Sequence, residues 1–271
     1  MNRSIIAMVF LLGLSLQANA QGQRGGGAAG GGQRGAAPTG RSSAPFDITG
    51  TWAALITDDW EYRMVTPAKG SIEFVPINPA ARTIANAWDP AKDEQAGLQC
   101  KGYGAPGLMR LPTRLRISWE NDNTLKVEAD YGTQTRSFNF GPAPAQPGER
   151  TWQGVSAAQW EGVGGGRGGR GGGGGIGDAA PPAAPREPAG ALKVVTTNLR
   201  AGYLRKNGVP YSENAVLTEW FNIVQDQGIQ YLAIQTQVDD PTYLTGPFFR
   251  TLAFKKEANA GKWNPTPCSA K

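Results

Sequence analysis

The run Leu111 to Phe140, LPTRLRISWENDNTLKVEADYGTQTRSFNF, constrains the fold more than any other stretch. Apolar and polar residues alternate, the mark of strands with one face in a core and one in water. The spacing predicts three antiparallel strands with turns at Asn121-Asp122-Asn123 and around Tyr131-Gly132. Folding the first hairpin sets Trp119 opposite Leu125, Ile117 opposite Val127 and Leu115 opposite Ala129. The same register sets Arg116 opposite Glu128 and Arg114 opposite Asp130 on the other face. Each pair contributes about 0.2–1 kcal/mol, and all favour one register. On the third strand, parity groups Gln134, Arg136, Phe138 and Phe140 with Leu125 and Val127, so an arginine points towards the apolar side.

Outside this unit the chain divides by composition. Asn2-Arg3, an apolar run from Ile5 to Leu16 and Ala18-Asn19-Ala20 form a secretory signal over 1–20, with the mature chain expected from Gln21. Residues 21–44 are Gly/Arg-rich and expected to be disordered, as is a Gly/Pro/Ala insert at 141–190 that includes GGGRGGRGGGGG from Gly164 to Gly175. The remainder of 45–271, roughly 170 residues, suits a single domain. The expected location is exported, periplasmic or secreted. No apolar run other than the signal suggests a membrane span.

The other strands follow the same period. Thr51 to Ile56 and Trp60 to Met64 read as the first two. Between them and Leu111 lies a helical insert, with Asn78 as N-cap and Pro79 at the first helical position of a helix ending near Trp88. Leu192 to Thr197, Ala215 to Val224, Ile229 to Val238 and Phe248 to Glu257 complete a mainly β meander. The fold expected is an antiparallel up-and-down barrel of eight or nine strands. A two-sheet sandwich is the alternative. The loop at Gln225–Gly228 leaves open whether Glu219 or Trp220 faces inward.

At Gly50-Thr51-Trp52 the chain resembles the lipocalins, calycin-type barrels that carry a Gly-x-Trp motif on the first strand. The resemblance implies a barrel whose closed end is plugged by Trp52, with an arginine near the last strand over it, for which Arg250 is the nearest match. The phrases WDPAKDE at Trp88, VDDPTYL at Val238 and WNPTPC at Trp263 are also similar to a group of uncharacterised exported bacterial proteins.

The two cysteines, Cys100 and Cys268, are expected to pair in an exported chain. The chain has no histidine, which removes Ser-His-Asp and Cys-His catalysis and the common zinc and non-haem iron sites. Asp58-Asp59 and Asp239-Asp240 lack the spacing of a calcium loop and read as turn residues. No catalytic residue, metal ligand or cofactor is therefore assigned. The expected ligand-binding set is Arg136, Glu219, Arg250, Gln134, Trp52 and Tyr62. Arg136 and Glu219 would be a polar site inside an apolar cup holding a small apolar or amphiphilic molecule. The alternative function is a cell-envelope structural or interaction protein with a filled barrel, whose Gly/Arg tethers make weak contacts with anionic polymers and no specific contact with nucleic acid.

Overall fold

The computed structural model describes residues 37–142, 148–162 and 190–271. The expected signal at 1–20, the Gly/Arg-rich residues up to 36 and the run Gly164–Gly175 lie outside the described residues. The elements in chain order are β1 (Gly50–Leu55), α1 (Trp60–Arg63), α2 (Pro79–Ala87), α3 (Pro90–Gln95), a 3-10 turn (Gln99–Tyr103) and α4 (Ala105–Leu108). There follow β2 (Arg114–Asn121), β3 (Thr124–Ala129), β4 (Gln134–Phe140), β5 (Val155–Glu161) and β6 (Ala191–Thr197). The short hairpin β7 (Gly202–Arg205) and β8 (Val209–Tyr211) precedes the long strands β9 (Val216–Asp226), β10 (Ile229–Asp239) and β11 (Phe248–Glu257).

Nine of these strands close into a barrel in the order β1-β11-β10-β9-β6-β5-β4-β3-β2, and β7-β8 stands apart as a two-stranded sheet. The fold is thus mainly β and closed, as the period-two pattern predicts. Its sheet is mixed: β5 runs parallel to β4, with Phe138 opposite Ser156 and Phe140 opposite Ala158.

The first hairpin has the predicted register, Leu115 to Ala129, Ile117 to Val127 and Trp119 to Leu125. On the outer face Arg114 divides itself between Glu257, 3.1 Å away, and Asp130, 3.9 Å away. Arg116 stands opposite Glu128 but stacks on the Trp263 ring at 4.3 Å.

Three expectations are corrected. Trp60 to Met64 is no strand. Asp59 takes a left-handed conformation (φ 51°) and starts the single helical turn α1. Trp60 and Met64 are exposed, and the buried residue is Arg63, whose Nε donates to the Arg110 carbonyl at 2.9 Å. The turn brings Arg63 Nε to the Arg110 carbonyl and Nη1 to Asp58, and leaves Trp60 and Met64 in water.

The insert at 141–190 contains the barrel strand β5, whose buried residues Ser156 and Ala158 are too small to announce a core, with Trp160 on the same face part-buried against Phe140. The N-terminal segment 21–44 is ordered at its end. Gly40 accepts from Trp160 Nε1 at 2.7 Å and donates to Asn123 Oδ1 at 2.8 Å. A Cβ there would stand 2.3 Å from the Phe140 ring, so this clasp requires glycine.

Inside the barrel, Trp52, Leu115, Ile117, Leu125, Val127, Phe138, Leu192, Val194, Phe221, Leu232, Ile234, Leu252 and Phe254 are fully buried in one cluster. Each contributes about 1.5–3 kcal/mol by leaving water. A second core lies between the helical insert and the ends of the strands. There Ala81 and Ala85 of α2 pack with Leu199, Leu204, Val209, Tyr211, Leu217, Val238 and Phe248. Asn78 caps α2 through its side chain to Ala81 N at 3.0 Å, with Pro79 next, as predicted. Asp89 caps α3 in the same way, accepting from Ala91 N at 3.0 Å. The Cys100–Cys268 disulfide (S–S 2.05 Å, Cα–Cα 5.1 Å) ties the C-terminal segment to the insert.

Candidate functional site

The β9–β10 hairpin turns at Gln227 and Gly228, both with positive φ (49° and 78°), a two-residue connection of the kind that matches strand twist. That parity sets Phe221 opposite Ile234 and turns Glu219 inward, leaving Trp220 on the outer face. Glu219 meets Arg136 as a bidentate pair, Nη1 to Oε1 at 3.0 Å and Nη2 to Oε2 at 2.5 Å. Both side chains are fully buried. Arg136 Nη2 also donates to Thr196 Oγ1 at 3.1 Å, and Thr196 is bonded to Ser156 at 2.8 Å. The guanidinium lies 4.9 Å from the Phe138 ring centre. Paired charges of this kind survive burial because each supplies the other's hydrogen bonds.

The other expected site residues are elsewhere. Gln134 donates to the Gly132 carbonyl at 2.7 Å and accepts from Gln153 at 2.8 Å, beside the disulfide. Thr236 faces both Glu219 and Arg250 across the ladder, but the Arg250 guanidinium turns outward to the Phe74 carbonyl at 2.9 Å and to Asp59. Trp52 is completely buried and donates to the Ile48 carbonyl at 2.9 Å. The cation over its ring is Lys256, at 4.7 Å, and not Arg250. Lys256 faces Trp52 directly across the β1–β11 seam, whereas Arg250 lies more than a full turn of the pleat away.

Tyr62 belongs to a different place, a cavity of about 290 Å3 between α1, the insert and the β7 edge. Its walls include Tyr62, Arg63, Arg110, Tyr131, Leu204, Arg205 and Lys206. Arg63, Arg110 and Arg205 are 3%, 5% and 3% exposed. Arg63 bonds Asp58 Oδ1 at 3.0 Å. Asp59 Oδ2 is shared, 3.3 Å from Arg110 Nη2 and 3.2 Å from Arg250 Nε, the latter a charge contact without hydrogen-bond alignment. Arg205 has no carboxylate within ion-pair distance among the described residues. Its Nη2 donates to the Glu73 carbonyl at 2.6 Å and its guanidinium stacks on Tyr62 at 4.3 Å.

Burial lowers the pKa values of Arg63 and Arg205 from the usual arginine value. Burial, with help from the neighbouring charges of Arg250 and Arg205, pushes Arg110 down to about 10. Lys206, lowered by burial, donates to the main-chain oxygen of Lys271.

Sequence reasoning did not name Arg63, Arg110, Arg205 or Lys206. The signal available was charge embedded in apolar text, Leu108-Met109-Arg110-Leu111 and Tyr203-Leu204-Arg205. Of the acidic pairs, Asp58 and Asp59 meet arginines, and Asp239 and Asp240 accept from backbone and side-chain donors. Asp240 caps Ser212 N at 2.6 Å and accepts from Ser212 Oγ at 2.7 Å, and Asp239 accepts from Gln237 at 2.6 Å.

Fold and site together define a closed, nine-stranded mixed β-barrel with a packed interior and a cation-walled cavity beneath its helical insert. No family model matches the chain, and no curated protein or solved structure matches it.

Proposed function

We propose that this chain is an exported, non-catalytic small-molecule binding protein in which the barrel is a braced scaffold and the ligand occupies the cavity beneath the insert. One observation carries the reading. The apolar barrel residues are packed and buried, while a space of about 290 Å3, one of several clefts among the described residues and the one walled by buried arginines, lies outside them, where polar and apolar walls converge. That volume is at the small end of ligand sites, and the mixture of a few polar groups with apolar wall suits an amphiphilic small molecule. Export is supported by the leader-like start and by a disulfide in an otherwise cysteine-free chain.

A lipocalin-like relationship is supported by Trp52 buried on the first strand of a closed barrel and by a cation from the last strand over its ring. The parallel β4–β5 seam departs from that pattern. The packed interior favours a second reading, an interaction protein of the cell envelope with a filled barrel.

Native mass spectrometry of the full chain after incubation with a mixture of small metabolites separates the two. Retention of a molecule that protects Arg205 and Tyr62 from chemical labelling supports the binding reading. Failure to retain anything, with tail-dependent capture by envelope polymers, supports the second.

A further inference from the structure

The side chains of the cavity wall are short of negative charge, and the Lys271 main-chain oxygen at the wall is taken by Lys206. Arg63, Arg110, Arg205 and Arg250 gather at one end of the barrel, and the carboxylates that reach them are those of Asp58 and Asp59. No Asp or Glu side chain is among the described residues that line the space. Arg63 Nη2, Arg110 Nη1 and Arg205 Nε and Nη1 are buried and have no hydrogen-bond partner among the described residues. An unsatisfied buried donor on a charged group costs more than a neutral one. Such groups call for an explanation, and several of them around one space point to an occupant. The fixed fork of a guanidinium matches a planar or tetrahedral oxyanion by two parallel bonds.

We propose that the cavity takes a small oxyanion, a carboxylate or phosphate group carried on a compact molecule, held by Arg110 and Arg205. This rests on the reading above that the cavity is a ligand site and adds the charge of its occupant. Arg63, tied to Asp58 and to the Arg110 carbonyl, positions Arg110. Lys206 adds charge at the wall. Tyr62 orients Arg205 by stacking on it. Leu111 and Leu204 leave an apolar side for the remainder of the molecule.

The test is isothermal titration of the full, oxidised chain with inorganic phosphate, with succinate and with succinamide, all at constant ionic strength. Phosphate and succinate distinguish a tetrahedral from a planar head, and succinamide is the uncharged counterpart of succinate. At least one anion is expected to bind, with succinamide at least about 100-fold weaker, the scale of losing two charge-assisted bonds. Arg205→Met is expected to weaken the anion about 10- to 100-fold. Because that variant removes a buried group, Val65→Glu serves beside it. Val65 is an exposed residue of the cavity wall, so a carboxylate there competes with the anion without being buried.

Succinamide binding as tightly as succinate, or anion affinity unchanged in both variants, overturns the proposal. So does a neutral metabolite retained in the cavity while neither anion binds, and that result leaves the binding function standing. Retention of no molecule of any charge defeats the binding function itself.

Discussion

Neutralising Glu219 tests the barrel's central polar contact. Glu219→Gln keeps the shape of the side chain and an acceptor for one Arg136 bond, but leaves the guanidinium charge without its counter-charge in a site fully closed to water. Breaking a buried pair from one side costs about 3–5 kcal/mol. For a domain of this size each kcal/mol lowers the melting temperature by about 2–4 °C, so a fall of about 6–20 °C is expected.

The double variant Arg136→Met with Glu219→Leu removes both charges together. Thr196 keeps Ser156 as its partner, 2.8 Å away, so no new orphan is created. That variant is expected within about 1–2 kcal/mol of the parent, or above it. Urea unfolding followed by tryptophan fluorescence, with the disulfide intact, gives midpoint and slope for all the proteins of the cycle. A cost below about 1 kcal/mol for Glu219→Gln, or a double variant as damaged as the sum of the singles, would refute the argument that these two charges stabilise only each other.

Three further outcomes follow from particular contacts. Replacing Cys100 and Cys268 by serine opens a closure of sequence separation 168 and is expected to lower stability by up to about 5 kcal/mol in the chain-entropy account, read by calorimetry. Asn78→Ala removes the cap on Ala81 N and is expected to cost about 1 kcal/mol in urea unfolding, without altering the barrel's far-ultraviolet spectrum. Burial lowers the Lys206 ammonium from the free lysine value of 10.5, so it loses its proton at a lower pH than a free lysine. An oxyanion held in the cavity is then bound best at neutral pH, and its affinity begins to fall before pH 10.5. The titration with Lys206→Met should lose the Lys206 share of that limb and keep the share set by Arg110, which burial and the neighbouring arginines lower to about 10.

The strands that could be read from residue patterns are those in which apolar side chains alternate without interruption. Leu115, Ile117, Leu125 and Val127 sit in the predicted register because a slip of one residue would put all of them in water. The same logic stopped at the β9–β10 turn. There Leu217, Glu219 and Phe221 alternate with Val216, Thr218 and Trp220, and both sets are apolar enough to be buried. The positive φ values of Gln227 and Gly228 decide between them, and neither residue is an obligatory turn former in this order. Strand β5 escaped for the opposite reason. Ser156 and Ala158 carry too little apolar surface to signal burial, and they face inward because Thr196 and Arg136 need the space and the hydroxyl.

The cavity escaped because its cations come from segments whose local patterns indicate something else. Arg63 falls in an alternating run that suggests a strand. Arg110 falls in an apolar loop, and Arg205 opens the turn Arg205-Lys206-Asn207-Gly208. Only the tertiary fold brings them to one space. Once they are there, comparison with Arg136 is informative. Arg136, equally buried, has a carboxylate on both of its terminal nitrogens and a threonine besides. Arg205 has a single carbonyl and a tyrosine ring, and Arg110 has half of a shared aspartate. All three side chains are buried, and each must be compensated for leaving water. Inside the barrel the fold meets that cost at both terminal nitrogens of Arg136 and leaves only its Nε without a partner; under the insert more donors are left so, next to open volume, and an arriving oxyanion is the group whose chemistry meets them there.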